Sequence, residues 1–109
     1  MKRAAAAAAL MLILGCGAFE NRIVVSNESS EAVSDISISV CDLSWSIENL
    51  EPGESVTFKA VYGSDGHFQV DSPVLSGDFG YVTSGLTGDE AVITFQDGRI
   101  DFRQTTSGY

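Results

Sequence analysis

The chain is poor in the residues that carry chemistry. Among 109 residues there is one histidine, at position 67, and there are two cysteines, Cys16 and Cys41. A single histidine leaves little for a Ser–His or Cys–His dyad. None of the many serines stands in the Gly-x-Ser-x-Gly elbow of a hydrolase. Two cysteines do not make a disulfide framework. Basic residues are scarce, 6 Lys and Arg against 15 Asp and Glu, for a formal net charge of −9. A surface of that sign repels phosphate backbones and anionic headgroups, which argues against nucleic acid as a partner and against membrane binding through a basic patch. Long apolar runs are missing too. The longest, residues 4–14, is about 11 residues, within the range of a secretory leader core and short of the roughly 20 that span a bilayer as a helix. No cofactor-binding loop or metal motif stands out, so no cofactor and no metal are expected.

What is present at the N-terminus has the layout of an address. Lys2 and Arg3 precede the apolar run, and small Gly15 precedes Cys16. Positive end, short apolar core and small-residue processing site are the parts of a secretory leader. A plain leader with an incidental Cys16, or an Ala-rich buried helix, uses the same residues. The ending Ile13-Leu14-Gly15-Cys16 resembles the lipobox of bacterial lipoproteins, with a larger residue than usual at Leu14. That resemblance covers the leader only. It implies a signal peptide over 1–15 and a diacylglycerol on the sulfur of Cys16. It also implies a localisation, lipid-anchored in the cell envelope. The absence of Asp at position 17 implies the outer membrane, facing the periplasm, in a Gram-negative source. Residues 17–21 then form a tether of roughly 15–20 Å at full stretch. Loss of Lys2 and Arg3 with the leader takes the net charge from −9 to −11. Lipidation of Cys16 leaves Cys41 without a pairing partner, and it reads as a small, inert, packed hydrophobe.

From residue 22 the sequence alternates in short stretches bounded by turn residues, the pattern of strands. Arg22-Ile23-Val24-Val25-Ser26 is the first. Ile36, Ile38 and Val40 alternate with polar neighbours in the second, and Trp45 and Ile47 mark a third. Pro52-Gly53 then makes a turn. Val56, Phe58, Ala60 and Tyr62 share one face of the next strand, as do Phe68 and Val70 of the one after. A hairpin with the loop Ser64-Asp65-Gly66, Gly66 left-handed, would set Tyr62 opposite Phe68, Ala60 opposite Val70 and Lys59 opposite Asp71. Asp97-Gly98 signals a two-residue turn that pairs Phe95 with Ile100 and Ile93 with Phe102. Residues 105–109 read as a flexible tail, with fraying from Gln104. The fold expected for residues 22–104 is all-β, a seven- or eight-stranded antiparallel sandwich. The run from Ile36 through Leu50-Glu51-Pro52-Gly53-Glu54-Ser55 resembles bacterial immunoglobulin-like domains. That resemblance implies architecture and no activity.

Between the two expected hairpins lies a glycine-rich stretch, 76–90, around a strand at Phe79-Gly80-Tyr81-Val82-Thr83. It reads as a mobile loop pair. Loops on a rigid scaffold are where binding residues concentrate. The candidate binding residues are therefore Phe79, Tyr81, Ser84, Leu86 and Thr87, with core the preferred reading of Phe79 and Tyr81. Asp78, Asp89 and Glu90 are the carboxylates a weak Ca²⁺ site would draw on, and His67 reads as a solvent-facing strand residue. The function expected is that of a non-enzymatic envelope lipoprotein, a binding or structural module with a protein or glycan partner. The alternative is a small periplasmic enzyme inhibitor or stress-related lipoprotein. An enzyme is not expected.

Overall fold

Two-residue alternation places Ile23 and Val25, Ile36, Ile38 and Val40, Phe68 and Val70, and Ala91, Ile93 and Phe95 on inward faces, and all of them are buried in one continuous core. The computed structural model describes residues 20–106, and these form eight strands: β1 (Asn21–Asn27), β2 (Val33–Val40), β3 (Leu43–Leu50), β4 (Ser55–Ala60), β5 (Gly66–Asp71), β6 (Ser76–Val82), β7 (Asp89–Gln96) and β8 (Arg99–Thr106). The expected leader, Cys16 and residues 107–109 lie outside the described residues. The strands make two four-stranded sheets, ordered β4-β1-β7-β8 and β3-β2-β5-β6. The inner faces meet in a sandwich-like all-β arrangement.

The sheets are mostly antiparallel, with one exception to the expected pattern. β1 lies between β4 and β7 and runs parallel to β7, with Ile23 opposite Ala91 and Val25 opposite Ile93. The final hairpin has the expected register, Phe95 opposite Ile100 and Ile93 opposite Phe102. Its second strand continues past the expected end. Thr105 and Thr106 pair with Glu90 and Asp89, so these two residues belong to the sheet and not to a tail. The ladder holds them because Asp89 accepts from the Thr106 hydroxyl and from Gln104.

The expected β4–β5 hairpin does not form. β4 pairs with β1, Ile23 opposite Phe58 and Val25 opposite Val56, while β5 sits in the other sheet between β2 and β6. Tyr62 and Phe68 still meet, ring to edge at 6.2 Å, but across the core and not across a ladder. Lys59 pairs with Glu20 at 3.1 Å instead of Asp71. Gly66 is the first residue of β5, outside the left-handed region, and packs against Cys41. The physical reason is that two apolar faces can be buried by stacking sheets as well as by pairing strands. The Glu51-Pro52-Gly53-Glu54 turn does form. The Glu54 amide donates to the Glu51 carbonyl at 2.9 Å, with Gly53 at φ 88°. Proline second and left-handed glycine third are what a type II turn requires.

Aromatic pairs close both lateral edges of the sandwich. Trp45 of β3 stacks on Phe58 of β4, with ring centroids 5.4 Å apart. On the opposite edge Phe79 of β6 stacks on Phe102 of β8, at 5.5 Å and 12° between planes. Phe102 also leans on Phe68 at 5.4 Å. Ring pairs at such separations contribute beyond the area they bury.

Candidate functional site

The connections divide into two ends with different chemistry. β1 starts at one end, and the β2–β3, β4–β5 and β6–β7 connections meet there. At the other end lie the β1–β2, β3–β4, β5–β6 and β7–β8 connections. The far-end connections carry Glu28, Glu31, Glu51, Glu54 and Asp97 and no basic residue, and Arg99, which opens β8 beside them, is paired with Asp101. The connections beside the start of β1 carry only Asp42 and Asp65 as charges.

A bulge decides which aromatic of β6 is presented. Gly66 lies opposite Val82 and Phe68 opposite Phe79, so Gly80 and Tyr81 together face His67 alone. Gly80 is left-handed, φ 63°, the conformation expected of the first residue in a glycine bulge. The extra residue shifts the alternation by one. Val82 turns into the core, and Tyr81 is turned out, 50% exposed. Phe79 stays inside the edge stack with Phe102. The candidate set therefore separates. Phe79 packs on the core, while Tyr81, Ser84, Leu86 and Thr87 gather at the end where β1 starts.

Side-chain hydrogen bonds hold these loops together. Asp65 accepts from the Ser84 amide at 2.8 Å and faces the Tyr81 hydroxyl at 3.5 Å. The Gly85 amide donates to the Tyr62 carbonyl at 3.0 Å, and the Leu86 amide to the Thr83 carbonyl at 3.1 Å. Buried Asn21 donates to the Leu86 and Ala60 carbonyls at 2.8 and 3.2 Å, and accepts from the Asp89 amide at 2.9 Å. Of the stretch 76–90 expected as a mobile loop pair, residues 76–82 are strand β6 and 89–90 open β7, so only 83–88 is a loop, and it is fastened to β1 and to the β4–β5 connection. Sequence reading passed over Asn21 and Asp65 because a tether residue and a turn residue look the same before the chain folds back.

His67 is exposed, with its ring 5.2 Å from that of Tyr81. Its Nδ1 lies 3.0 Å from the Gly80 carbonyl, which fixes the proton on Nδ1 because a carbonyl only accepts. No hydrogen bond among the described residues joins that ring to a hydroxyl, thiol or carboxylate. Cys41, half-buried in the β2–β3 turn, donates its thiol to the Ser64 carbonyl at 2.9 Å. The Tyr62 hydroxyl is buried without a hydrogen-bond partner. Burial first, then the Asp89 carboxylate and Cys41, push its ionisation well above the usual tyrosine range. The three carboxylates weighed for Ca²⁺ do not converge. Asp78 is exposed on β6, Asp89 is buried against Gln104 and Thr106, and Glu90 pairs with Arg22 at 3.2 Å. Among the described residues no group of three or more potential ligands could hold a metal ion, and no helix is long and apolar enough to cross a membrane.

No protein-family model, curated protein or solved structure matches the chain. Its functional reading therefore rests on its own residues.

Proposed function

We propose that the chain is a non-enzymatic lipoprotein of the cell envelope, held on a membrane by lipid on Cys16, with the loop end carrying Tyr81, Ser84, Leu86 and Thr87 as its contact surface. The observation that carries this reading is the sequence MKRAAAAAALMLILGC, closing on a cysteine five residues before β1 starts at Asn21. A strongly acidic domain has no electrostatic affinity for anionic headgroups, so its attachment calls for a covalent anchor. A single acyl chain holds only marginally, whereas two or three make release negligible. In a Gram-negative source, Gly17 favours the outer membrane, facing the periplasm. The immunoglobulin-like kinship belongs to this proposal as well. It is supported by the Leu50-Glu51-Pro52-Gly53-Glu54 turn, which carries the chain from β3 in one sheet to β4 in the other.

The test is metabolic labelling with radioactive palmitate, followed by membrane fractionation of the wild type and of Cys16→Ser. The expected outcome is a labelled, membrane-bound wild type and an unlabelled variant that leaves the membrane fraction. A wild type that takes no label refutes the proposal.

A further inference from the structure

The two ends of the sandwich are so unlike that the anchor leaves the domain one way to stand. We infer that the end bearing Val61, Tyr81 and Leu86 is a membrane-facing foot, seated on the headgroup layer of the bilayer that holds the anchor. The inference rests on the lipid anchor proposed above and names the partner of that contact surface.

Geometry comes first. β1 begins at Asn21 at this end, and Asn21 bonds directly to the Leu86 carbonyl of the 83–88 loop. From Cys16 to Asn21 the chain reaches about 17 Å at full extension. From Asn21 to Asn27, at the far end of β1, is about 20 Å of strand. The tether is thus shorter than the strand it feeds. Bringing the far end down to the bilayer would need the tether to double back over more than its own length.

Surface composition agrees independently. Of the three large hydrophobic side chains that stand well exposed among the described residues, Val61 at 70% and Tyr81 at 50% lie at or beside the anchored end. Leu86 is half-buried beside them. Thr83, Ser84, Gly85 and Thr87 add exposed surface without charge. A tyrosine with an apolar body and a polar tip suits the boundary between acyl chains and headgroups. Two carboxylates lie in these connections, exposed Asp42 and Asp65, the second with one oxygen taken by the Ser84 amide, against five at the opposite end. Glu28, Glu31, Glu51, Glu54 and Asp97 project from the opposite end, where their repulsion from an anionic surface is relieved by distance. Turned over, the same molecule would press those five carboxylates against lipid.

The test uses the full lipidated protein, reconstituted into phosphatidylcholine vesicles after palmitate labelling has been scored. In a Cys41→Ser background, Val61→Cys and Thr87→Cys report on the foot and Val74→Cys on the far end. Each carries an environment-sensitive fluorophore. Lipidated Cys16 has no free thiol to take the label, and the Cys41→Ser hydroxyl keeps a donor for the Ser64 carbonyl. The expected result is quenching by nitroxide-bearing lipid several-fold stronger at positions 61 and 87 than at 74, with the opposite order for aqueous iodide. Equal responses at the two ends of a palmitate-labelled protein overturn the foot and leave the anchor standing. Shielding from iodide at position 61 without lipid quenching, growing with the protein-to-lipid ratio, also overturns it, because a second copy then covers this face. A wild type without palmitate removes the anchor, and the foot with it.

Discussion

Gly80 concentrates the packing of one edge of the sandwich into a single missing methyl group, and Gly80→Ala should be among the most damaging exchanges of a surface residue. A Cβ at that position would lie 2.6 Å from Cζ and 2.7 Å from Cε2 of Phe102, and 2.7 Å from Oε1 of Gln104. The amide of Gln104 is the tip of a flexible side chain and can swing away. The Phe102 ring cannot move cheaply, since it is held between Phe79 and Phe68. A left-handed L-residue costs roughly 1–2 kcal/mol, and overpacking a filled site costs typically 1–3 kcal/mol more. The expected loss is therefore about 2–5 kcal/mol, a large share of the roughly 5–15 kcal/mol that holds a domain together. Gly85 supplies the control. It is also left-handed, φ 81°, but a Cβ there meets nothing within 4 Å, so Gly85→Ala should show the backbone cost alone, about 1–2 kcal/mol. Urea unfolding followed by the fluorescence of Trp45, the one tryptophan, measures both variants. In a domain of this size each kcal/mol shifts the melting temperature by roughly 4–8 °C. A Gly80→Ala loss within about 0.5 kcal/mol of the Gly85→Ala loss, close to the limit of such measurements, would refute the steric reasoning.

Three further outcomes follow from buried and paired polar groups. Tyr62→Phe removes a buried hydroxyl that has no partner, so stability in urea should rise, by up to about 1–3 kcal/mol. Because the folded state raises the Tyr62 pKa, the stabilisation tied to its neutral form is complete below the unfolded value near 10 and fades as pH rises beyond it; the Phe variant should lose less stability in alkali. Asn21→Ala removes three hydrogen bonds and leaves the Asp89 amide without its acceptor. It should cost about 2–3 kcal/mol, and hydrogen exchange should speed up at Asp89. Hydrogen bonds from the Ser30 amide and hydroxyl lower the Asp97 pKa. Its contribution is therefore present above the unfolded carboxylate value and is lost as pH falls through the lower folded one; Asp97→Asn should flatten the acid limb of a stability–pH curve, and an unchanged limb would contradict the assignment.

How far the sequence could be read depended on whether a feature was local. Alternation marked the inward residues of β1, β2, β5, β7 and β8, and Asp97-Gly98 fixed the last register without help from the rest of the chain. Alternation says which face is buried; it does not say which strand lies alongside. Tyr62 and Phe68 belong to one core, yet β4 and β5 lie in different sheets, and nothing between residues 60 and 66 distinguishes a hairpin from a crossover. The parallel place of β1 beside β7 is equally hidden, because it joins residues 68 apart. At the candidate site, Ser84, Leu86 and Thr87 were legible as loop residues. The inward Phe79 and outward Tyr81 were not separable, because the single-residue shift at Gly80 comes from a bulge opposite His67. Asn21 and Asp65 acquire their partners only when the β4–β5 and β6–β7 connections meet at the start of β1.

The central position of β1 bears on how the molecule is made. Among the described strands it is the first in chain order, and its ladder partners are β4 and β7. One edge of Arg22-Ile23-Val24-Val25-Ser26 therefore stays open until residues 55–60 have emerged, and the other until residues 89–96 have. Folding must wait on pairings distant along the chain, the slow kind. Until then, a short β-branched ribbon with an unpaired flank is a template for the wrong neighbour. A strand that ends in the middle of its sheet is, during biosynthesis, long without its second neighbour.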